Sequence, residues 1–373
     1  MTSTYRPTYR STLRSTRVPA RVLVEGLRPG TLVQHGNLAM LPLLGPDRPG
    51  PDYLRLSEAL EQGLATVTEV SEAGQFPNLA VRNDADRPIL ALDGEELKGA
   101  KQNRILNLSL LLPPHSTTVV PVSCVEQGRW DYETRNFGAS GEMLFARAKA
   151  DKLKAVSESM RSHGSRTADQ GEVWDHVARK LERLGATSST STMQKAFSSR
   201  SRSLRDHEQA LKPVAGQRGA AFFIDAELAG IETLDRAASW TALAGTISRS
   251  YALDAVETQH ADTPSPREAD VIALLEALAA AEADVYPSVG LGEDWRVENE
   301  RVVAAGLVID AVPLHVAAFR PNHRDRQRFT DPDRMIFRNR IEYAEGPAAW
   351  CGRPAHARDE TRPSTDKGDT KDE

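Results

Sequence analysis

The stretch LDGEELKGAKQNRILNLSLLLPPHSTTVVPVSCVEQGRWDY, residues 92–132, sets two apolar runs directly against clusters of charge and amide. Leu106, Leu108, Leu110 and Leu112 alternate with Asn107, Ser109 and Leu111, the two-residue period of a half-buried strand. Pro113 and Pro114 end it. Val120, Val122 and Cys124 then share one face of a second strand, and Pro121, which has no N–H to give a ladder, predicts an edge position for it. Carried back from Leu106, the same register puts Arg104 and Gln102 on the leucine face and Lys101, Asn103 and Ile105 on the other. A charge turned towards a core is costly unless it is paired. Arg104 therefore needs a carboxylate or an anionic ligand, and Glu95, Glu96 and Glu126 are the local acids that can answer it. Two arrangements satisfy that need: a salt bridge that pins a hairpin, or a pocket built from Glu95, Gln102, Arg104, Glu126 and Arg129. In a pocket, arginines suit bidentate binding of phosphate or carboxylate, and Glu95 and Glu126 suit general acid–base work.

Outward from this stretch, ARVLVEGLRPG and NLAMLPLLG read as short strands punctuated by Gly and Pro. LRLSEALEQG reads as a helix closed by Gly63, ATVTEVSEAG as a strand, and NLAVRNDADRPILAL as two strands around an Asn-Asp-Ala-Asp turn. From Gly141 the texture becomes helical. MLFARAKADKLKAVSESM runs to Gly164, and VWDHVARKLERLGA sets Trp174, Val177 and Leu181 on one face before Gly185, the residue favoured just past a helix end. GAAFFIDAELAGIETLD reads as a hairpin with the helix SWTALAGTISRSYALDAVE packed on it. VIALLEALAAAEADV, apolar nearly all round, reads as a buried helix, and WRVENERVVAAGLVIDAVPLHVAAF as closing strands.

Strand groups and helix groups are segregated, which predicts an α+β fold with an antiparallel β core, sandwich-like or in two small sheets, and a helical segment in the middle. Residues 21–345 form one domain on this reading: a β-rich part (21–135), a helical part (141–212) and a mixed part (219–345). Residues 1–20 and 346–373 lack the apolar content for a core and read as disordered ends. The N-terminal stretch has a transit-peptide-like composition, but Pro7 and the missing apolar helix face favour a plain arm.

The chain has 373 residues, 40% of them hydrophobic and 27% charged, as in a globular protein. With 47 basic and 52 acidic side chains the net charge is −5, which argues against a protein organised around nucleic acid. The segment 319–340 carries seven arginines with Phe319, Phe329 and Phe337 among them, but three aspartates are threaded through it, the pattern of a self-paired surface. No apolar run is long enough for a membrane helix, and two cysteines, Cys124 and Cys351, fit a reducing cytoplasm. The nine histidines show no paired metal-ligand spacing, so no metal site is expected, and no cofactor fingerprint is present: neither a phosphate-binding P-loop nor a dinucleotide glycine motif. His315, in an apolar strand, reads as a satisfied core histidine, His115 as exposed, and Cys124 as a buried structural thiol.

DGEELKGAKQNR, the apolar strand after it and VPVSCVEQGRW together resemble the bacterial domain family named for its association with ADP-ribosylglycohydrolases and the rhodanese-phosphatase superfamily. VWDHVARKLERLG, GAAFFIDAELAGIETLD and SRSYALDAVE extend the resemblance across roughly residues 22–320. Asp93, Gly94, Glu95, Glu96, Gly99, Gln102, Asn103, Arg104, Ser123, Cys124, Glu126, Arg129 and Trp130 match its pattern. The resemblance carries no defined reaction and no established catalytic residue. It implies a link to ADP-ribose or NAD metabolism by association.

The functional expectation is therefore a nucleotide or ADP-ribose-like small molecule held at this cluster. Arg104 and Arg129 would hold a phosphate or pyrophosphate, Trp130 would stack on a base or ribose face, Gln102 and Asn103 would be further ligand-binding residues, and Glu95 or Glu126 would serve as base. The alternative is a non-enzymatic protein-interaction module in which the cluster is a salt-bridge network. A third reading, a cupin-type jelly roll, is suggested by the spacing of ALDGEEL and LLPPHSTTVVPV, but the histidine pair of its metal chemistry is missing. Enzyme and binding module stay open at this point.

Overall fold

The computed structural model describes residues 15–71, 77–258 and 265–321. In chain order its elements begin with β1 (Thr16–Pro19), β2 (Arg28–Pro29), β3 (Val33–His35), β4 (Leu38–Leu44), β5 (Leu54–Arg55) and α1 (Leu56–Glu61). Then come β6 (Ala65–Glu69), β7 (Asn78–Asn83), β8 (Ile89–Ala91), β9 (Glu95–Gly99), β10 (Arg104–Leu106), β11 (Leu110–Leu112), β12 (Ser116–Cys124) and β13 (Phe137–Met143). The middle is helical: α2 (Ala146–His163), α3 (Gln170–Arg183), α4 (Met193–Ser199) and α5 (Ser201–Ala210). The last part holds β14 (Gln217–Ile224), β15 (Glu227–Leu234), α6 (Ala237–Ala255), α7 (Glu268–Ala279), β16 (Glu282–Pro287), β17 (Glu293–Glu298), β18 (Val303–Ile309) and β19 (Val312–Phe319).

Two Ile-Asp-Ala sequences turn the chain tightly. Asp225 and Ala226 (φ +52° and +64°) join β14 to β15, and Asp310 and Ala311 (φ +48° and +63°) join β18 to β19. Positive φ at both central residues is the two-residue turn whose twist matches a right-handed hairpin. These hairpins form the middle of a ten-stranded sheet in the order β1-β16-β17-β18-β19-β15-β14-β4-β2, with β3 also paired to β4. Successive residues point to opposite faces, so Phe222 packs on one side and Phe223 on the other. On the Phe222 side lies α6, whose Tyr251 ring stacks on Phe222 at 4.1 Å. On the Phe223 side α7 buries Val271, Leu274 and Leu278. Truncating either phenylalanine would cost about 3–5 kcal/mol in transfer and cavity terms.

Beside this sheet, β10-β12-β7-β6-β13-β9 close into a six-stranded barrel, and β11-β8-β5 form a small third sheet. The barrel is filled by Val67, Leu79, Val81, Leu97, Leu106, Val120, Val122 and Phe137, all buried. The α+β class holds, with the strands antiparallel except for the β5–β8 pair.

Several expectations change in detail. The leucines of 106–112 do not form one half-buried strand: β10 belongs to the barrel and β11 pairs with β8, with the break at 107–109. Both sides of this stretch are enclosed, so alternation alone could not show the change of sheet. Pro121 is not on an edge, because a closed barrel has none. It sits where β12 passes from its pairing with β7 to its pairing with β10, a place that spares it a ladder donor. The segment from Gly141 stays extended to Met143 before α2 starts. α7 stops at Ala279 and buries one face only, with Ile272 exposed, and 282–287 are strand β16. Regular structure starts at Thr16, inside the expected N-terminal arm, because β1 pairs with β16. Residues 1–14 and 322–373, which include most of the arginine-rich segment and Cys351, lie outside the described residues.

Candidate functional site

The polar residues of the opening stretch divide between the two sides of β9 and β10. Arg104 pairs with Leu97 and Cys124 across the ladders and faces into the barrel, while Ile105 pairs with Glu96 and Ser123 and faces out. Arg104 is 1% exposed and Gln102 fully buried. The Arg104 Nη1 donates to Gln102 Oε1 at 2.6 Å and lies against the Cys124 thiol. Its carboxylate is Glu69 on β6, at 3.8 Å, a residue that local sequence reasoning passed over in favour of Glu95, Glu96 and Glu126. Burial pushes the Glu69 carboxyl up, and Arg104 and Lys101 pull against that. Trp130, half-buried, lies over this end of the barrel with its ring centre 5.6 Å from the Arg104 guanidinium. Lys101 sits 5.3 Å from the Trp130 ring and 5.2 Å from that of Tyr132, which is 51% exposed. Gln170, at the start of α3, clasps the backbone of Cys124 from outside: its Oε1 accepts from Cys124 N–H and its Nε2 donates to Cys124 O.

On the outer side a second group forms. Arg129 donates to Glu126 Oε2 from Nη2 (2.7 Å) and Nε (3.0 Å), to Ala100 O (2.6 Å) and to Asn103 Oδ1 (3.2 Å). Glu126 also accepts from Asn103 N–H and Thr190 Oγ. Arg129, Glu126 and Asn103 thus bind the 99–103 turn to the 126–133 and 190 loops. Gly99 is needed in that turn: its φ is +127°, and a Cβ there would lie 2.5 Å from Thr134 Oγ1 and 2.8 Å from Asn136 O. Glu96 is within 3.5 Å of Asn103 Nδ2. Glu95 sits at the other end of β9, where it accepts Leu92 N–H. Burial, as the largest cause, pushes both Glu95 and Glu96 up to about 7, Glu96 also being repelled by Glu142 and Glu126. The structure therefore brings Gln102, Arg104 and Trp130 together, sets Asn103, Glu126 and Arg129 in a separate frame, and places Glu95 apart from both.

A third polar group lies deeper, between the barrel and the large sheet. Lys149 and Lys152 stand in the buried stripe of α2 with Leu153, Val156 and Met160. Lys149 pairs with Glu232 of β15, and Lys152 with Asp93, the first residue of the Asp-Gly-Glu-Glu sequence. Glu232 accepts from His315, and His315 in turn meets Ser109. His315 is the satisfied core histidine its sequence context predicts, with both ring nitrogens bonded. The readable signal for this group was the pair of lysines three apart on an otherwise apolar helix face, since a lysine is almost never buried without a partner.

Two further placements complete the picture. His115 is exposed and pairs with Asp86. Asp151 on α2 with Glu172 and His176 on α3 brings three ligand-type atoms within 4.8 Å of one another, a grouping that the search for paired histidines passed over. His176 and Asp151 already contact each other at 3.0 Å.

Residues 26–319 match the model of the ARG and Rhodanese-Phosphatase-superfamily-associated Protein domain. The chain belongs to this family. The match takes in the barrel, the helical middle and the large sheet up to its last strand, so the family's domain includes all three polar groups. No curated protein and no solved structure matches the chain. Among the described residues, no helix is long and apolar enough to cross a membrane.

Proposed function

We propose that the end of the barrel under Trp130 binds a small anionic molecule carrying a planar ring, of the nucleotide or ADP-ribose class. The observation that carries this reading is the Trp130 ring lying over the buried Arg104 guanidinium, with Lys101 and the exposed Tyr132 beside it. Guanidinium and ammonium groups suit phosphate, and the two aromatic faces suit a base or ribose. The family's association with ADP-ribosylglycohydrolases supports the same ligand class. On this reading Gln102, Arg104 and Trp130 are the binding residues. Asn103, Glu126 and Arg129 hold the surrounding loops, with Glu126 part of that frame. Glu95, buried at the other end of β9 with its carboxyl on Leu92 N–H, stands outside this site and takes no part in this reading.

The test is a calorimetric titration with ADP-ribose, run on the full chain and on Trp130→Ala. Trp130 is only half-buried, so the variant should keep its circular dichroism spectrum. Saturable heat from the parent chain and at least about tenfold weaker binding in the variant, roughly one stacked ring, would support the site. No heat from a folded parent chain would remove the ADP-ribose reading and leave the protein-interaction module.

A further inference from the structure

Asp151, Glu172 and His176 each bring one ligand-type atom to a point between α2 and α3, all three within 4.8 Å of one another. Helix geometry explains the grouping. Glu172 and His176 are four residues apart, so they project from one face of α3, and Asp151 meets them from α2. Both helices are anchored: α2 buries Leu153, Val156 and Met160, and α3 buries Val173, Val177 and Leu181. The Asp169 side chain accepts Glu172 N–H and caps α3 just before the group. The His176 ring packs edge-on against the buried Phe145, with ring centres 6.4 Å apart. Packed helices, not a loop, therefore set the three positions.

The distances suit an ion. Nitrogen and oxygen ligands sit about 2.1 Å from a divalent transition metal, so neighbouring ligands lie about 3.0 Å apart in an octahedral shell and about 3.4 Å apart in a tetrahedral one. His176 Nε2 and Asp151 Oδ2 are already 3.0 Å apart. Closing the rest of the set takes a shift of about 1 Å, within reach of one carboxylate rotation. Charge points the same way. One imidazolium offsets only one of the two carboxylates, whereas a dication shared by all three groups answers both. The group is also reachable from solvent: the His176 and Asp151 side chains are 11% and 21% exposed, unlike the closed pairs of Lys149 and Lys152.

We propose that Asp151, Glu172 and His176 bind one divalent transition-metal ion, of the Zn²⁺ or Mn²⁺ class, at a site separate from the end of the barrel under Trp130. An imidazole among the donors favours these ions over Mg²⁺ and Ca²⁺, which take shells of oxygen. Three protein ligands leave at least one position of the shell open. His176 also lines a cavity of about 30 Å³, space for two water molecules, with Phe145, Arg147, Arg179, Lys180 and Arg183. Lys180 pairs with Asp254 and Glu257, Arg183 with Glu257 and Arg179 with Asp175, so these charges are answered locally. Arg147 is exposed and makes no ion pair among the described residues. The open position therefore suits water or a small oxyanion.

The experiment titrates the full chain, stripped by a chelator and dialysed, with Zn²⁺ and with Mn²⁺ in a calorimeter, beside His176→Gln and Asp151→Asn. Neither side chain lies in the core, so both variants should keep the parent circular dichroism spectrum. Expected is one saturable site per parent chain for at least one of the two ions. Losing a ligand costs more than the roughly 10–100-fold typical of losing a group behind one, so each variant should bind at least about 100-fold more weakly. The bound ion should also raise the melting temperature of the parent chain and leave that of the variants unchanged, because it joins two helices of the folded state only. Absence of a saturable site for either ion in the folded parent chain overturns the proposal. So does equal binding in the two folded variants, which would put the ion elsewhere, as at the exposed pair of His115 and Asp86.

Discussion

Lys149 Nζ lies 2.6 Å from Glu232 Oε1, and both side chains are fully buried, one on the apolar face of α2 and the other in the middle of the large sheet. Removing one partner leaves the other as an uncompensated buried charge, which typically costs about 3–5 kcal/mol. Lys149→Met should therefore destabilise the protein by about that much in urea denaturation. The double variant Lys149→Met/Glu232→Gln removes both charges and should recover more than half of the loss. A double variant as unstable as the sum of the singles would show that the two residues do not compensate each other.

Glu95 and Glu96 make stability depend on pH in the direction opposite to that of a salt-bridged acid. Burial raises both carboxyls from an ordinary value of 4.5 to about 7, so between those values the folded chain holds protons that the unfolded chain has released. Stability then falls as pH rises from about 4.5 to 7 and levels off above. Each group contributes up to about 3 kcal/mol to that fall, at about 1.4 kcal/mol per unit of pKa. Glu96→Gln, which cannot ionise, should flatten part of the slope and unfold at higher urea than the parent chain at pH 8. Parallel slopes for the two proteins from pH 5 to 8 would rule out the buried carboxyl as their source.

What could be read from the sequence was the local part of this arrangement. Glu126 and Arg129 are three residues apart, and the inward turn of Arg104 follows from strand alternation alone, as its 1% exposure bears out. The partner of Arg104 was not readable. Glu69 comes beside it only because β6 and β10 belong to one closed barrel, and no local pattern announces barrel closure. The same holds for Ser109, Glu232 and His315, which three separate strands and loops deliver to one point. The leucines of 106–112 misled for a related reason: where both faces are buried, polarity no longer marks which face is inside, or where one sheet ends and the next begins.

Gly99 on β9 and Gly138 on β13 sit in adjacent rungs of the same ladder, Gly99 paired with Phe137 and Gly138 with Lys98, yet they differ in what they permit. Gly138 is exposed, and a Cβ there would meet nothing within 4 Å. Gly138→Ala should change stability by no more than about 0.5 kcal/mol. Gly99→Ala must hold an alanine at φ +127° and push a methyl into Thr134 and the Asn136 carbonyl, at a cost of at least about 2 kcal/mol. Thermal denaturation of the two variants side by side decides it: equal melting temperatures would mean that the 99–103 turn relaxes freely.

Arg129 is the clasp of that turn, and its value lies in its shape as much as its charge. The planar fork reaches Glu126 through Nε and Nη2, Asn103 Oδ1 through Nη2 as well, and Ala100 O through Nη1, which an ammonium on a flexible stem cannot copy. Arg129→Lys should thus recover little of what Arg129→Ala loses, about 3 kcal/mol for a largely buried pair broken on one side. Amide hydrogen exchange gives the more local readout. In both variants protection should fall at Gly99, Asn103 and Gly128, whose N–H groups are held by Asn103, Glu126 and the 190 loop, while the N–H groups of β14 and β15 stay protected. If Arg129→Lys kept full protection at Asn103, charge alone would suffice and the fork would be dispensable.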